Sequence, residues 1–92
     1  MTSKETKRKP DNKGTDNQSQ ESFLVLHNDS IHSFDYVISV LMEVCNHSYE
    51  QASQCTMITH YKGSCDIKKG VYKTLNPIKE ALIKMELNAT ID

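Results

Sequence analysis

The chain has no tryptophan, two prolines, three glycines and three cysteines in 92 residues. An odd cysteine count does not make a disulfide framework and fits a reducing compartment, so a cytoplasmic location is expected. No apolar run approaches the ~20 residues of a membrane-crossing helix. The opening residues lack the apolar stretch of a secretory signal, and Glu5, Asp11 and Asp16 argue against an organellar transit peptide. There is no glycine-rich phosphate loop. Neither charge sign dominates: 11 Lys and Arg face 12 Asp and Glu, for a net charge of -1. Such a balance creates no broad field to attract nucleic acid or an acidic membrane. His27, His32, His47, His60, Cys45, Cys55 and Cys65 never form the Cys-x-x-Cys or His-x3-His spacing of zinc sites. The cysteines fall ten apart, which places them on unrelated elements. No metal and no cofactor are expected.

Apolar residues are also missing locally. Residues 1–20 contain no Val, Ile, Leu, Phe or Tyr. A segment that cannot bury apolar area cannot offset its ordering entropy, so residues 1–21 are predicted to be a disordered N-terminal extension. Residues 22–92 then form one small core domain, large enough to fold alone and only marginally stable.

Within that domain the patterning is legible. Phe23 to His27 is a short apolar run with a β-branched residue, as in a strand. Phe34, Val37, Ile38, Leu41, Val44 and Cys45 recur with helical period, and Ser33 is placed to cap that helix. Ser48-Tyr49-Glu50-Gln51 fits a capping box for a second helix, which carries Ala52, Cys55, Thr56 and Thr59 on one face and stops before Gly63. Cys65 to Thr74 reads as a strand or loosely paired ribbon. Asn76-Pro77 suits the start of a third helix, with Ile78, Ala81, Leu82 and Met85 on its inner face. Leu87 to Ile91 alternates apolar and polar residues, as a last strand would. The expected fold is α+β: a small single-domain β-α-α-β-α-β sandwich with three helices on one face of a three-stranded, mainly antiparallel sheet, plus a disordered N-terminal tail.

Two short motifs stand out. Asn28-Asp29 lies at the exit of the first strand, on a loop, where binding groups gather. His60-Tyr61-Lys62-Gly63 ends the second helix. In this order and at this spacing they resemble the ClpS family of proteolytic adaptors, over roughly residues 22–92. The resemblance implies a non-enzymatic monomer that binds the free N-terminus of substrate proteins with hydrophobic first residues. It implies delivery of that cargo to the N-terminal domain of a Clp-type AAA+ unfoldase, with the flexible N-terminal extension taking part in handover.

By the same resemblance Asn28, Asp29 and His60 hold the substrate's α-amine. The chemistry is consistent, because a free α-amine near neutral pH is largely a cation with three donors. An amide carbonyl, a carboxylate and a neutral imidazole are a fitting set of acceptors. The resemblance places His32, Phe34, Val37, Thr56, Thr59 and Leu87 around the first side chain. Phe34 stands where the family often has Met, which narrows the entrance. Thr56 and Thr59 depart from the family's apolar character, although hydroxyls bonded back to the helix would expose their methyls. Two other readings remain at this point. One is a protein–protein interaction module of the same fold, like the C-terminal domain of the ribosomal stalk, with no role for the three amine-site residues together. The other is a small enzyme using Asp29 and His60 as acid–base partners.

Overall fold

The computed structural model describes residues 20–92, so the expectation for the N-terminal extension falls almost wholly outside the described residues. The element order is β1 (Glu21–His27), α1 (Phe34–Cys45), α2 (Tyr49–Lys62), β2 (Ser64–Val71), α3 (Tyr72–Lys84) and β3 (Asn88–Ile91). The expected β-α-α-β-α-β order is borne out, with the first strand starting two residues earlier than its apolar run.

β1 is the central strand of an antiparallel sheet in the order β2-β1-β3. A strand in that position carries the most buried run of the sheet, and Leu24, Val25 and Leu26 are all buried. Leu24 and Leu26 join Ile67 and Ala89 on the face that the helices cover. Against it pack Ile38, Val40, Leu41 and Cys45 of α1, Ala52 and Cys55 of α2, and Leu75 and Leu82 of α3. All three helices therefore lie on one face.

The capping signals act as the sequence indicated. Ser33 Oγ accepts from the Tyr36 N–H and Ser48 Oγ from the Gln51 N–H, both at 3.1 Å. Asn46 (φ 62°) and Gly63 (φ 96°) end α1 and α2 in the left-handed region. Glycine takes that conformation without the Cβ penalty, and asparagine tolerates it. The inner face of α2 is small throughout: Ala52, Cys55, Thr56 and Thr59 are buried, as the pattern indicated.

Three features differ from the sequence reading. α3 begins at Tyr72, not at Asn76, and Pro77 lies inside it. The extra turn buries Leu75 completely, against Gly70, and that burial outweighs the Asn-Pro start signal. Val40 lies off the predicted stripe of α1 yet is 1% exposed, because α1 contacts both α2 and α3. His47, which the sequence reading placed in no apolar stripe, is buried.

The environment of His47 has a local cause. The β1–β2 register shifts between Leu24, opposite Lys68, and Val25, opposite Asp66, which makes Ile67 the extra residue of a bulge. Bulges leave backbone groups off the ladder. The Ile67 carbonyl accepts from His47 Nε2 at 2.8 Å in the core. Replacing His47 with alanine deletes the donor, strands a buried carbonyl and opens a cavity. The expected loss is about 2–4 kcal/mol in a urea melt. A loss under about 0.5 kcal/mol would show that this bond contributes little.

Candidate functional site

The site is assembled by the turn that returns the chain from α2 to β2. The Asn28 N–H donates to the Gly63 carbonyl at 2.9 Å, tying the exit of β1 to the end of α2. This brings the Asn28-Asp29 loop beside the last turn of α2, which carries His60.

Asp29 organises the loop. Its Oδ1 accepts from the backbone N–H groups of Ile31 at 2.9 Å and His32 at 3.1 Å, and its Oδ2 lies 3.1 Å from His32 Nδ1. Partial burial pushes the carboxyl pKa up. The N–H groups of His32 and Ile31 and the His32 ring outweigh that and hold it below its ordinary 3.8. Since a carboxylate only accepts, the His32 nitrogen facing it carries the proton. The ring of His32 stacks on Tyr36 with centroids 4.9 Å apart, and Tyr36 Oη donates to the Met85 carbonyl at 2.8 Å. The loop is thereby fixed to the end of α3.

That end is a helix cap of its own. The Glu86 N–H donates to the Ile83 carbonyl and the Leu87 N–H to the Leu82 carbonyl, with Glu86 in the left-handed region (φ 69°). This Schellman arrangement places Leu87 just before β3, buried in the core.

Between these pieces lies an open cleft of about 380 Å³, including solvent at its mouth. Asn28, Asp29 and His60 line it. So do His32, Phe34, Val37, Thr56, Thr59 and Leu87. All nine residues singled out in the sequence thus border one cavity. Phe34 is 41% exposed and stands at the rim, its ring edge-on to His60 at 5.1 Å, rather than in the core. The hydroxyls of Thr56 and Thr59 donate to the carbonyls of Ala52 and Cys55, at 2.8 and 2.7 Å. Their donors are therefore satisfied within α2.

Two lining residues were missed in the sequence, Leu26 and His27. Leu26 looked like ordinary core, and it is core as well as cleft wall. His27 Nε2 is 2.7 Å from Thr90 Oγ1 across the sheet, a cross-strand contact that no local motif signals. The ring contact of Asp29 is with His32, not His60, so the geometry does not form the Asp29–His60 acid–base pair considered above.

The cysteines converge more than their spacing indicated. Cys45 and Cys55 are buried in one core, and Cys65 packs against it. Burial pushes the Cys45 thiol up to about 11, and a hydrogen bond from the Cys65 thiol lowers the pKa of Cys55. Among the described residues no group of three or more His, Cys, Asp or Glu side chains is placed to hold a metal ion. No helix of the described residues is long and apolar enough to cross a membrane.

Fold and cleft together define a small α+β interaction domain. The family model of the ATP-dependent Clp protease adaptor protein ClpS matches residues 17–90, most of the chain. The chain belongs to the ClpS family, whose members act as adaptors of Clp proteases rather than as catalysts. Among solved structures it is similar to ClpS2 of Agrobacterium tumefaciens, determined with L-phenylalaninamide bound. The two share 22% identity and superpose with a TM-score of 0.74, over 79% of this chain and 95% of that one. A likeness at that identity bears on the fold. No curated protein matches the chain.

Proposed function

We propose that this adaptor binds the free α-amine and large hydrophobic first side chain of substrate proteins, and presents them to the N-terminal domain of a Clp-type AAA+ unfoldase. The observation that carries the reading is the single cleft, with Asn28, Asp29 and His60 bordering it beside Leu26, Val37 and Leu87. Asn28 offers an amide carbonyl, Asp29 a negative charge and His60 an imidazole nitrogen. Asp29 fills three acceptor positions within its own loop. A carboxylate has about four, so one remains for an amine. L-Phenylalaninamide, the ligand of the A. tumefaciens protein, combines a free α-amine with a large apolar side chain. It carries both features the cleft would read.

The magnitudes suit an adaptor that must release its cargo. Three charge-assisted hydrogen bonds contribute ~1.5–3 kcal/mol each. Burying a large apolar side chain adds ~2–3 kcal/mol. Association costs at least ~4 kcal/mol. The balance corresponds to dissociation constants of roughly ten millimolar to micromolar for an isolated peptide.

The test is fluorescence anisotropy with a short labelled peptide beginning in Leu or Phe, against the native protein, Asp29→Ala and His60→Ala. Saturable binding that both substitutions weaken at least about tenfold is expected. Equal binding by all three proteins would refute the amine site.

The pH profile adds a signed expectation. Above about pH 8 the peptide amine loses its proton, so affinity falls about tenfold per further unit. On the acid side Asp29 has a depressed pKa in the folded protein. Its stabilisation of the loop is therefore complete above about 3.8 and is lost as pH falls through the lowered value. A profile that stays flat between pH 7 and 10 would contradict amine recognition.

A further inference from the structure

The threonines give the cleft a chemical preference that follows from their hydrogen bonds. A hydroxyl has one donor and two acceptor lone pairs. Thr56 and Thr59 each spend the donor on a carbonyl of their own helix. What each hydroxyl has left to offer a ligand is acceptor capacity.

His32 Nδ1 carries a proton toward Asp29 Oδ2, 3.1 Å away, and Glu86 Oε1, an acceptor, lies 3.9 Å from His32 Nε2. Apolar Leu26, Val37 and Leu87 line the cleft beside Thr56 and Thr59.

We propose that the cleft favours a first side chain with an aromatic body and a hydrogen-bond donor at its tip, a phenol or an indole, over a phenyl ring or a branched alkyl group. Thr56 and Thr59 are the residues that set this preference. The inference rests on the proposed binding of N-terminal residues and adds the class of side chain selected. A phenol entering the cleft loses water from its hydroxyl and regains a partner in a threonine oxygen. A phenyl ring of the same shape leaves the threonine lone pairs dehydrated and unpaired. Sites built to bond a substrate hydroxyl reject the analogue that lacks it.

The experiment uses the full chain and three labelled peptides that differ only in the first residue: Tyr, Phe and 4-fluoro-Phe. The fluorine occupies space near the hydroxyl position without donating. Binding to the native protein is compared with Thr56→Val, Thr59→Val and the double variant, each checked for folding by a thermal melt. Tyr is expected to bind about fivefold tighter than either analogue, the range of one neutral hydrogen bond. That ratio is expected to fall to about one in the double variant. A native ratio at or below one would overturn the proposal, and so would a ratio that survives both substitutions. Should the double variant not fold, the native ratio and the single variants carry the same decision. Binding of all three peptides without preference would refute this inference and leave amine recognition standing. Binding of none would refute amine recognition and this inference with it.

Discussion

A peptide that begins with a free Phe or Leu residue is expected to lose at least about a hundredfold in affinity when its α-amine is acetylated. Acetylation removes the positive charge, two of the three donors and the small tetrahedral shape that Asn28, Asp29 and His60 would share. One charge-assisted hydrogen bond contributes ~1.5–3 kcal/mol, so losing two already exceeds a hundredfold. The remaining acceptor position of the Asp29 carboxylate adds to the loss, since it would face a neutral amide in place of a cation. The same side chain is present in both peptides, so its burial cancels. Paired anisotropy titrations measure the ratio directly. A ratio below about three would mean that the cleft reads the side chain and ignores the terminus.

Leu26→Ala carries the second large expected effect. Leu26 is 2% exposed, lies in the central strand and belongs to both the core and the cleft wall. Truncating a buried leucine costs ~2–5 kcal/mol, made up of lost transfer energy and the cavity left behind. A domain of this size has only roughly 4–10 kcal/mol in total. A urea melt should therefore show the midpoint displaced by about a fifth or more of its native value. The cleft should also lose peptide affinity in buffer where the variant remains folded. A midpoint unchanged within error would mean that the sheet tolerates a hole at its centre, contrary to the packing described above.

Most of the fold was readable because its signals are short-range. Ser33, Ser48 and Gly63 act within one helical turn of where they stand, and the stripes of α1 and α2 need only a helical period. The start of α3 was misread because a local signal, Asn76-Pro77, competed with a tertiary one. Complete burial of Leu75 against Gly70 pulls one more turn into the helix, and nothing local to residues 72–75 announces it. Val40 and His47 were missed for the same reason. Each is buried by an element distant in sequence, Val40 by the crowding of α1 and His47 by the bulge at Ile67.

The candidate site divides in the same way. All nine of its residues came from the resemblance to a family, and the structure brings all nine to one cleft. What residue identity did not convey was how they are held. The bond between Asp29 and His32, the tie from Asn28 to Gly63 and the inward-turned hydroxyls of Thr56 and Thr59 are properties of the folded chain. These bonds shape the chemistry of the cleft. They occupy three acceptor positions of Asp29, and they commit the donors of both threonine hydroxyls to the helix.

The most direct measurement is a titration of the ¹⁵N-labelled chain with L-phenylalaninamide, followed by amide chemical shifts. The account expects saturable shifts at Asn28, Asp29, His32, Thr59, His60 and Leu87. It expects none of comparable size on the helix-free face of the sheet, and none when the ligand is N-acetylated. Saturable shifts centred elsewhere, or equal shifts with the acetylated ligand, would contradict it.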